Sequence, residues 1–411
     1  MDRDILQEQI AEEFCALPKR KALAVLGTSF GKSKVAFLII KKLKPERILF
    51  LVESTTNRDI TIKEEYIKWG MEKYSEVTEF ATYQLAYKWK KQNKNLDNYL
   101  IIADECDFAF TNNYGKFFLE YRDVDTFAMT GYITQEKYTL FKSLLPLLVS
   151  IPVDELQTEK ILNETIFKFI QFPLNLDKNR PMTYKKNGED VTFYQSENDH
   201  YKYFIKKESE TINKMMAAIS RNDTPKVEEC EKILQEYLPR ERAAFLYDLD
   251  SSISVTKILI GKILNADSKN KIITFSERTK QADAISENSY HGKTPKVEGD
   301  KLFGDFQTGA IRVLSTCAKV NRGVNIPGLN YAIMESFTSE ITAMMQKNGR
   351  LCRLGVNEVG TIYFLLPYYW ENKETLRPTR AVHWARKIME KFPGTKLEVL
   401  NYCGNAKILK D

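Results

Sequence analysis

The sequence predicts an α/β protein of two tandem units, each a parallel sheet flanked by helices, with a β-hairpin and a helical segment inserted in the second. Three observations predict it. Short, continuous apolar runs recur in both halves, as strands covered on both faces require. Amphipathic stretches separate those runs, the pattern of parallel strands joined by helical crossovers. The length of 411 residues also exceeds what one ordinary core holds, so two units are the natural division.

In the first unit, "ALAVLG" (22–27), "RILFLVES" (47–54) and "YLIIADE" (99–105) read as buried strands, and "KSKVAFLIIKKL" between the first two reads as a helix. The second unit begins near "TIFKFIQFPL" (165–174) and resumes with "KIITFS" (271–276), "IRVLST" (311–316), "YAIMES" (331–336) and "TIYFLL" (361–366). Two such sheets in tandem are expected to set a cleft between them. Of the two inserts, "MTYKKNGEDVTFY" (182–194) carries Asn187-Gly188 between alternating runs, a strong hairpin signal. Thr183, Lys185, Val191 and Phe193 are read as one face of the ribbon. Tyr184, Lys186, Thr192 and Tyr194 form the other, so lysines and aromatic rings gather near the tip. From about 197 to 264 the pattern is helical and heavily charged, with Pro225 and Pro239 as its breakers.

A hydrophobic content of 43% with 28% charged residues describes a soluble globular chain, and a net charge of +6 permits a polyanionic partner without demanding one. The longest apolar stretch, "LLPLLVSIPV" (144–153), is short and interrupted by two prolines, so no membrane-spanning helix and no membrane partner are expected. No basic segment followed by an apolar run opens the chain, which argues against a secretory signal. Six scattered cysteines without a C-x-x-C pair, and three histidines without zinc-ligand spacing, point to a reduced intracellular protein with no structural metal.

Three short stretches carry chemistry. "LGTSFGKS" (26–33) ends in Gly31-Lys32-Ser33, the close of a phosphate-binding turn, although Leu26 and Gly27 break the strict pattern. A buried strand leads into it and a helix leaves it, so backbone N–H groups of Gly27, Thr28, Ser29, Phe30 and Gly31 would face phosphates. Lys32 would neutralise β/γ oxygens and Ser33 would ligate Mg²⁺. "LIIADECD" places Asp104 and Glu105 at the end of a buried strand, where open α/β sheets bind ligands. Asp104 would hold Mg²⁺ through water, and Glu105 would orient and deprotonate an attacking water. "QKNGRLCR" places Gln346, Arg350 and Arg353 at near-helical spacing, and two arginines on one face would stabilise a transferring phosphoryl group.

Taken in order, these stretches resemble the motifs of superfamily-two helicases and translocases, from about residue 6 to 367. "LGTSFGKS" stands at motif I, "ADECD" at motif II, "MTGYI" (129–133) at motif III and "IITFSERTKQAD" at motif IV. "YHG" (290–292) is similar to the His-Gly that follows motif IV, "LSTCAKVNRGVNIP" (314–327) to motif V and "QKNGRLCR" to motif VI. The resemblance implies two RecA-like domains, residues 1–155 and 160–368, the second including the hairpin 182–194 and the helical segment 197–264, then a C-terminal extension 369–411. It implies ATP and Mg²⁺ as cofactors, with Gly323 and Asn325 near the nucleotide and Thr130 coupling hydrolysis to strand contacts. It also implies nucleic-acid backbone contacts by Thr55 and Arg58 in "ESTTNRD", Thr82 and Gln84 in "ATYQ", and Ser315 and Thr316 in the second domain. Gln7 or Gln9 would be the upstream glutamine that reads adenine. The chain departs from the family at Ser29 and Phe30, where Gly and Ser are usual, at Tyr132, where a small residue is usual, and at Asn325, where Asp is usual.

The activity so implied is that of an ATP-dependent nucleic-acid helicase or translocase in replication, recombination or repair. It is expected to act on DNA in preference to RNA, as a cytoplasmic monomer, with replication or recombination proteins as further partners. In compactness the chain is similar to small phage branch-migration helicases, which would make that cytoplasm the host's. Two other readings stand beside it: a nucleic-acid-stimulated ATPase that remodels or anneals without unwinding, and a catalytically silent, virion-associated binding protein. Glu105 together with Arg350 and Arg353 argues against the second of these. Trp69, Tyr83, Tyr87 and Trp89 could stack on bases or pack internally. The hairpin could serve as a pin at a duplex junction or as an edge elaboration of the sheet.

Overall fold

The computed structural model describes residues 2–409 apart from 28, 54, 56, 93, 111–113, 187–188, 318–325, 337–357 and 392–395. The chain divides into two compact units, the first built mainly on Met1–Thr165 and the second on Ile166–Lys319, Leu329–Glu340 and Thr361–Asp411.

The first unit is a six-stranded sheet of β1 (Lys21–Leu26), β2 (Arg47–Val52), β3 (Thr78–Thr82), β4 (Tyr99–Asp104), β5 (Thr126–Thr130) and β6 (Leu147–Ile151), in the order β3-β2-β4-β5-β1-β6. Every pairing is parallel. The continuous apolar runs are explained by two cores, one on each face. Ala24, Leu26, Ile48, Phe50, Val52 and Ile102 enter the first core, joined by Phe14 and Phe37 from the helices Arg3–Ala16 and Lys32–Leu43. Their alternate neighbours Leu23, Val25, Leu49, Leu51, Ile101 and Ala103 enter the second, with Phe117 and Phe118 of the helix Gly115–Glu120. Each large apolar side chain so buried contributes about 1.5–3 kcal/mol. Because all six strands run the same way, their C-terminal ends, and the residues that follow them, share one edge of the sheet.

The second unit is a nine-stranded sheet in the order β11-β12-β10-β13-β14-β15-β17, with β7 pairing both β14 and β16. Its parallel centre comprises β10 (Ile272–Ser276), β11 (Ser289–His291), β12 (Val313–Cys317), β13 (Tyr331–Met334) and β14 (Val359–Trp370). β7 (Glu164–Pro173), β15 (Thr375–Pro378), β16 (Lys396–Asn401) and β17 (Lys407–Ile408) complete it, so the last stretch of the chain is woven into this sheet. In the helical insert, Pro225 falls in the first turn of the helix Thr224–Lys232, where a missing N–H costs nothing, and Pro239 comes just after the π-helical turn Ile233–Tyr237 that joins this helix to Leu238–Leu246. Among the described residues no helix is long and apolar enough to cross a membrane.

The hairpin forms from β8 (Arg180–Lys186) and β9 (Glu189–Gln195), a separate two-stranded ribbon. Its register corrects the faces expected from the sequence. Met182 pairs with Phe193 and Tyr184 with Val191, while Thr183 pairs with Thr192, their hydroxyls 3.0 Å apart. In the backbone register Lys185 pairs with Asp190 and Lys186 with Glu189. The turn residues Asn187 and Gly188 lie outside the described residues. Arg180 anchors the base, its guanidinium 3.0 Å from Asp248 and over the Phe245 ring.

Candidate nucleotide site and nucleic-acid face

The loop after β1 is held from three sides. Gly27 donates its N–H to Ile151 at 2.9 Å, and a Cβ there would press on Leu156 and Val153 at 3.0 Å, which favours glycine. Phe30 is fully buried in the core below, which gives the departure from the family pattern a purpose: the ring anchors the loop. Ser29 and Gly31 take positive φ of 71° and 96°. That backbone suits Gly31 and strains Ser29. Of the two candidate glutamines, Gln7 is buried and donates Nε2 to the Phe30 carbonyl at 2.5 Å, whereas Gln9 is exposed. Lys32 and Ser33 then open the first turn of the helix Lys32–Leu43.

Lys32 Nζ lies 3.3 Å from Glu105 Oε1, both side chains largely sheltered from solvent. Glu105 directly follows β4 in a left-handed conformation with φ 47°, an uncommon backbone for a non-glycine residue. Its second oxygen is buried with no hydrogen-bond partner among the described residues. Beside it, burial holds the Asp104 carboxyl well above the usual carboxylate range, as do the charges of Glu105 and Glu53, while Lys32 pulls the other way. Three carboxyls, those of Glu53, Asp104 and Glu105, thus act on one another around a single lysine at this edge, more acidic groups than Lys32 alone offsets when they ionise. That surplus and the orphaned oxygen fit a divalent cation bound among few protein ligands, as Mg²⁺ is. Asp107 completes the segment: Thr130 Oγ1 donates to its Oδ1 at 2.9 Å and Lys137 Nζ to its carbonyl at 3.2 Å. Thr130, at the end of β5, is thereby tied to the strand that carries Asp104.

Two residues at this edge escaped the sequence reading. Glu53 follows β2 as Asp104 ends β4, is buried, and accepts from Asn57 Nδ2 at 2.9 Å. An acidic residue directly after a buried run was the signal that could have found it. Tyr83, which the sequence leaves open between base stacking and internal packing, is buried, and its hydroxyl donates to the Asp104 carbonyl at 2.7 Å.

The residues expected to meet nucleic acid divide sharply. Thr55 and Gln84 are exposed, and Arg58 forms a two-point contact with Asp59 at 2.6 and 2.9 Å near the surface. Thr82 is buried, and its hydroxyl accepts the Leu85 N–H at 3.3 Å at the start of the helix Tyr83–Lys91. Ser315 and Thr316 are fully buried in β12. Thr274 Oγ1 donates to Ser315 Oγ, and Thr316 Oγ1 donates to the Thr274 carbonyl. Turned inward and already bonded, these three hydroxyls are not placed to hold phosphate. The aromatic candidates pack too: Tyr87 meets Tyr114, and Lys94 and Lys68 cover Trp89 and Trp69. Thr28, Gly323, Asn325, Gln346, Arg350 and Arg353 lie outside the described residues.

Residues 254–355 match the helicase conserved C-terminal domain family. The "Eukaryotic initiation factor 4A-III homolog B" of Oryza sativa subsp. japonica is 24% identical over 125 residues, which are 30% of this chain and 31% of that relative. The match therefore spans about a third of the relative's length. The fold aligns with S. cerevisiae Dbp5 bound to RNA and ADP BeF3 at a TM-score of 0.57 and 12% identity, covering 96% of this chain and 89% of that one. It also aligns with the restriction-modification enzyme LlaBIII bound to DNA at a TM-score of 0.58, covering 97% of this chain and 31% of that one. The chain thus has the fold of the superfamily-two helicases, two RecA-like α/β units, and residues 254–355 carry the match to the helicase C-terminal domain.

Proposed function

We propose that the protein is a nucleic-acid-stimulated ATPase of the helicase or translocase kind. The observation that carries this reading is the Lys32–Glu105 pair beside Asp104, joining the loop after β1 to the end of β4. In the free protein Lys32 is neutralised by Glu105. A triphosphate entering the loop competes for the lysine, and Glu105 is released to accept a proton from water. The loop from Gly27 to Gly31 would receive phosphate oxygens at the N-terminus of the helix Lys32–Leu43. Ser33 and Asp104 would hold Mg²⁺, which when bound would draw charge from the transferring phosphoryl group. Gln7, fixed to the loop, stands as the adenine reader. By resemblance alone, Arg350, Arg353, Gln346, Gly323 and Asn325 complete the site.

Nucleic acid would run along the C-terminal edge of the first sheet, against Thr55, Arg58 and Gln84. One structural neighbour holds RNA and another DNA, and phosphate contacts carry no base information. The preference for DNA, like the part in replication or recombination, therefore rests on the sequence resemblance alone. The test is steady-state ATP hydrolysis with single-stranded RNA, single-stranded DNA, duplex DNA or no polymer. Stimulation by at least one polymer is the expected result. A rate indifferent to all of them would remove the nucleic-acid half of the reading.

A further inference from the structure

The peptide plane between Asp104 and Glu105 is fastened at both of its polar ends. Its N–H donates to Asp104 Oδ1 at 3.0 Å, and its carbonyl accepts the Tyr83 hydroxyl at 2.7 Å. The orientation of that plane is coupled to the left-handed turn at Glu105, and so to where the Glu105 carboxylate stands relative to Lys32. Such a turn persists only when its surroundings over-determine it. Tyr83 and Lys32 are parts of those surroundings that come from elsewhere in the fold, and Tyr83 is the one that holds the peptide itself. Its ring is buried near Phe108, and it is the first residue of the helix Tyr83–Lys91. The residue before it, Thr82, caps that helix, and the residue after it, Gln84, is exposed.

Resting on the proposed nucleotide site, we propose that Tyr83 is a positioning residue that couples nucleic-acid binding to hydrolysis: a strand engaging the Gln84 segment moves the start of its helix, and the phenol transmits that shift to the Asp104–Glu105 peptide and so to the placement of Glu105. The phenol acts through its hydrogen bond and takes no part in the proton transfer. Its hydroxyl, not its ring, is therefore what matters.

The experiment is Tyr83→Phe in the full chain, which keeps the ring and removes only the donor. Basal and polymer-stimulated kcat, KM for ATP, polymer affinity and the unfolding temperature are measured together. The expected result is a stimulated kcat lower by about tenfold, the scale of one lost hydrogen bond. KM for ATP and polymer affinity should stay within about twofold, and basal kcat should fall by much less than stimulated kcat, so the stimulation ratio collapses. An unchanged ratio would overturn the proposal. Basal and stimulated rates falling in proportion, with a lower unfolding temperature, would overturn it too, since that marks a merely structural bond. A wild-type protein whose ATPase no polymer stimulates would instead bring down the functional reading on which the proposal rests.

Discussion

Replacing Gly31 by alanine perturbs the loop at the point where backbone and neighbour both demand glycine. Gly31 has φ 96°, and a Cβ added there would stand 2.4 Å from Gln7 Nε2. The left-handed backbone costs a side-chain-bearing residue about 1–2 kcal/mol. The end of a glutamine can swing aside, but doing so breaks its bond to the Phe30 carbonyl, worth about 1 kcal/mol net. Together Gly31→Ala should cost about 2–3 kcal/mol, which for a unit of this size lowers the unfolding temperature by about 4–12 °C. A double-mutant cycle separates the two parts. With Gln7→Ala already present there is no amide to displace, so Gly31→Ala should cost only the backbone part, a coupling of about 1 kcal/mol. The assay is urea unfolding of the four proteins, with fluorescent nucleotide binding measured alongside. Equal costs of Gly31→Ala in the two backgrounds would refute the contact and, with it, the role given to Gln7 in shaping the loop.

Glu335, buried at the end of β13 and bonded by Ser252 and Ser276, is pushed up to about 7 by burial, the Asp248 charge adding to it and the two serine donors opposing. Its folded value lies above its ordinary 4.5, so its contribution to stability is complete below the lower value and is lost as pH rises through the upper one. Between about pH 5 and pH 8, Glu335→Gln should gain about 2–3 kcal/mol relative to wild type in urea unfolding; parallel pH profiles would show that the carboxyl titrates as if exposed. In the ribbon, replacing residues 184–192 with a Gly-Ser turn should leave the salt dependence of polymer binding unchanged, because Lys185 and Lys186 pair in the backbone register with acidic residues. A log–log slope smaller by about 0.7 to 0.9 per lysine would mean that they reach phosphates after all.

Much of both sheets was legible because strands buried on two faces write continuous apolar runs, as β1, β2 and β4 do. Most strands that went unseen lack such runs, although β6 lies within the apolar stretch 144–153. β3 and β5, "TEFAT" and "TFAMT", mix threonine with apolar residues. β16 and β17 draw their stability from partners far away in sequence, β16 pairing with β7 and β17 with β15. No local pattern announces that. The hairpin was legible but its faces were not, since the pairing across the turn, not alternation along each strand, decides which residues share a side. At the candidate site, Lys32 and Glu105 were legible as sequence and are joined in space. The roles of Ser315, Thr316 and Thr82 were not, because a hydroxyl on a strand reads the same whether it faces a ligand or the core. The choice of Gln7 over Gln9 needed the packing of the helix Arg3–Ala16 against the loop.

The account turns on Glu105 serving hydrolysis and not merely the binding of ATP. The most direct measurement is single-turnover hydrolysis of ATP by Glu105→Gln beside wild type, with saturating polymer and nucleotide affinity determined for both. Glutamine preserves the shape while removing the base and freeing Lys32 from its ion pair. The account predicts ATP bound at least as tightly as by wild type and hydrolysed slower by about 10²–10⁴-fold. Unchanged hydrolysis in Glu105→Gln would contradict it.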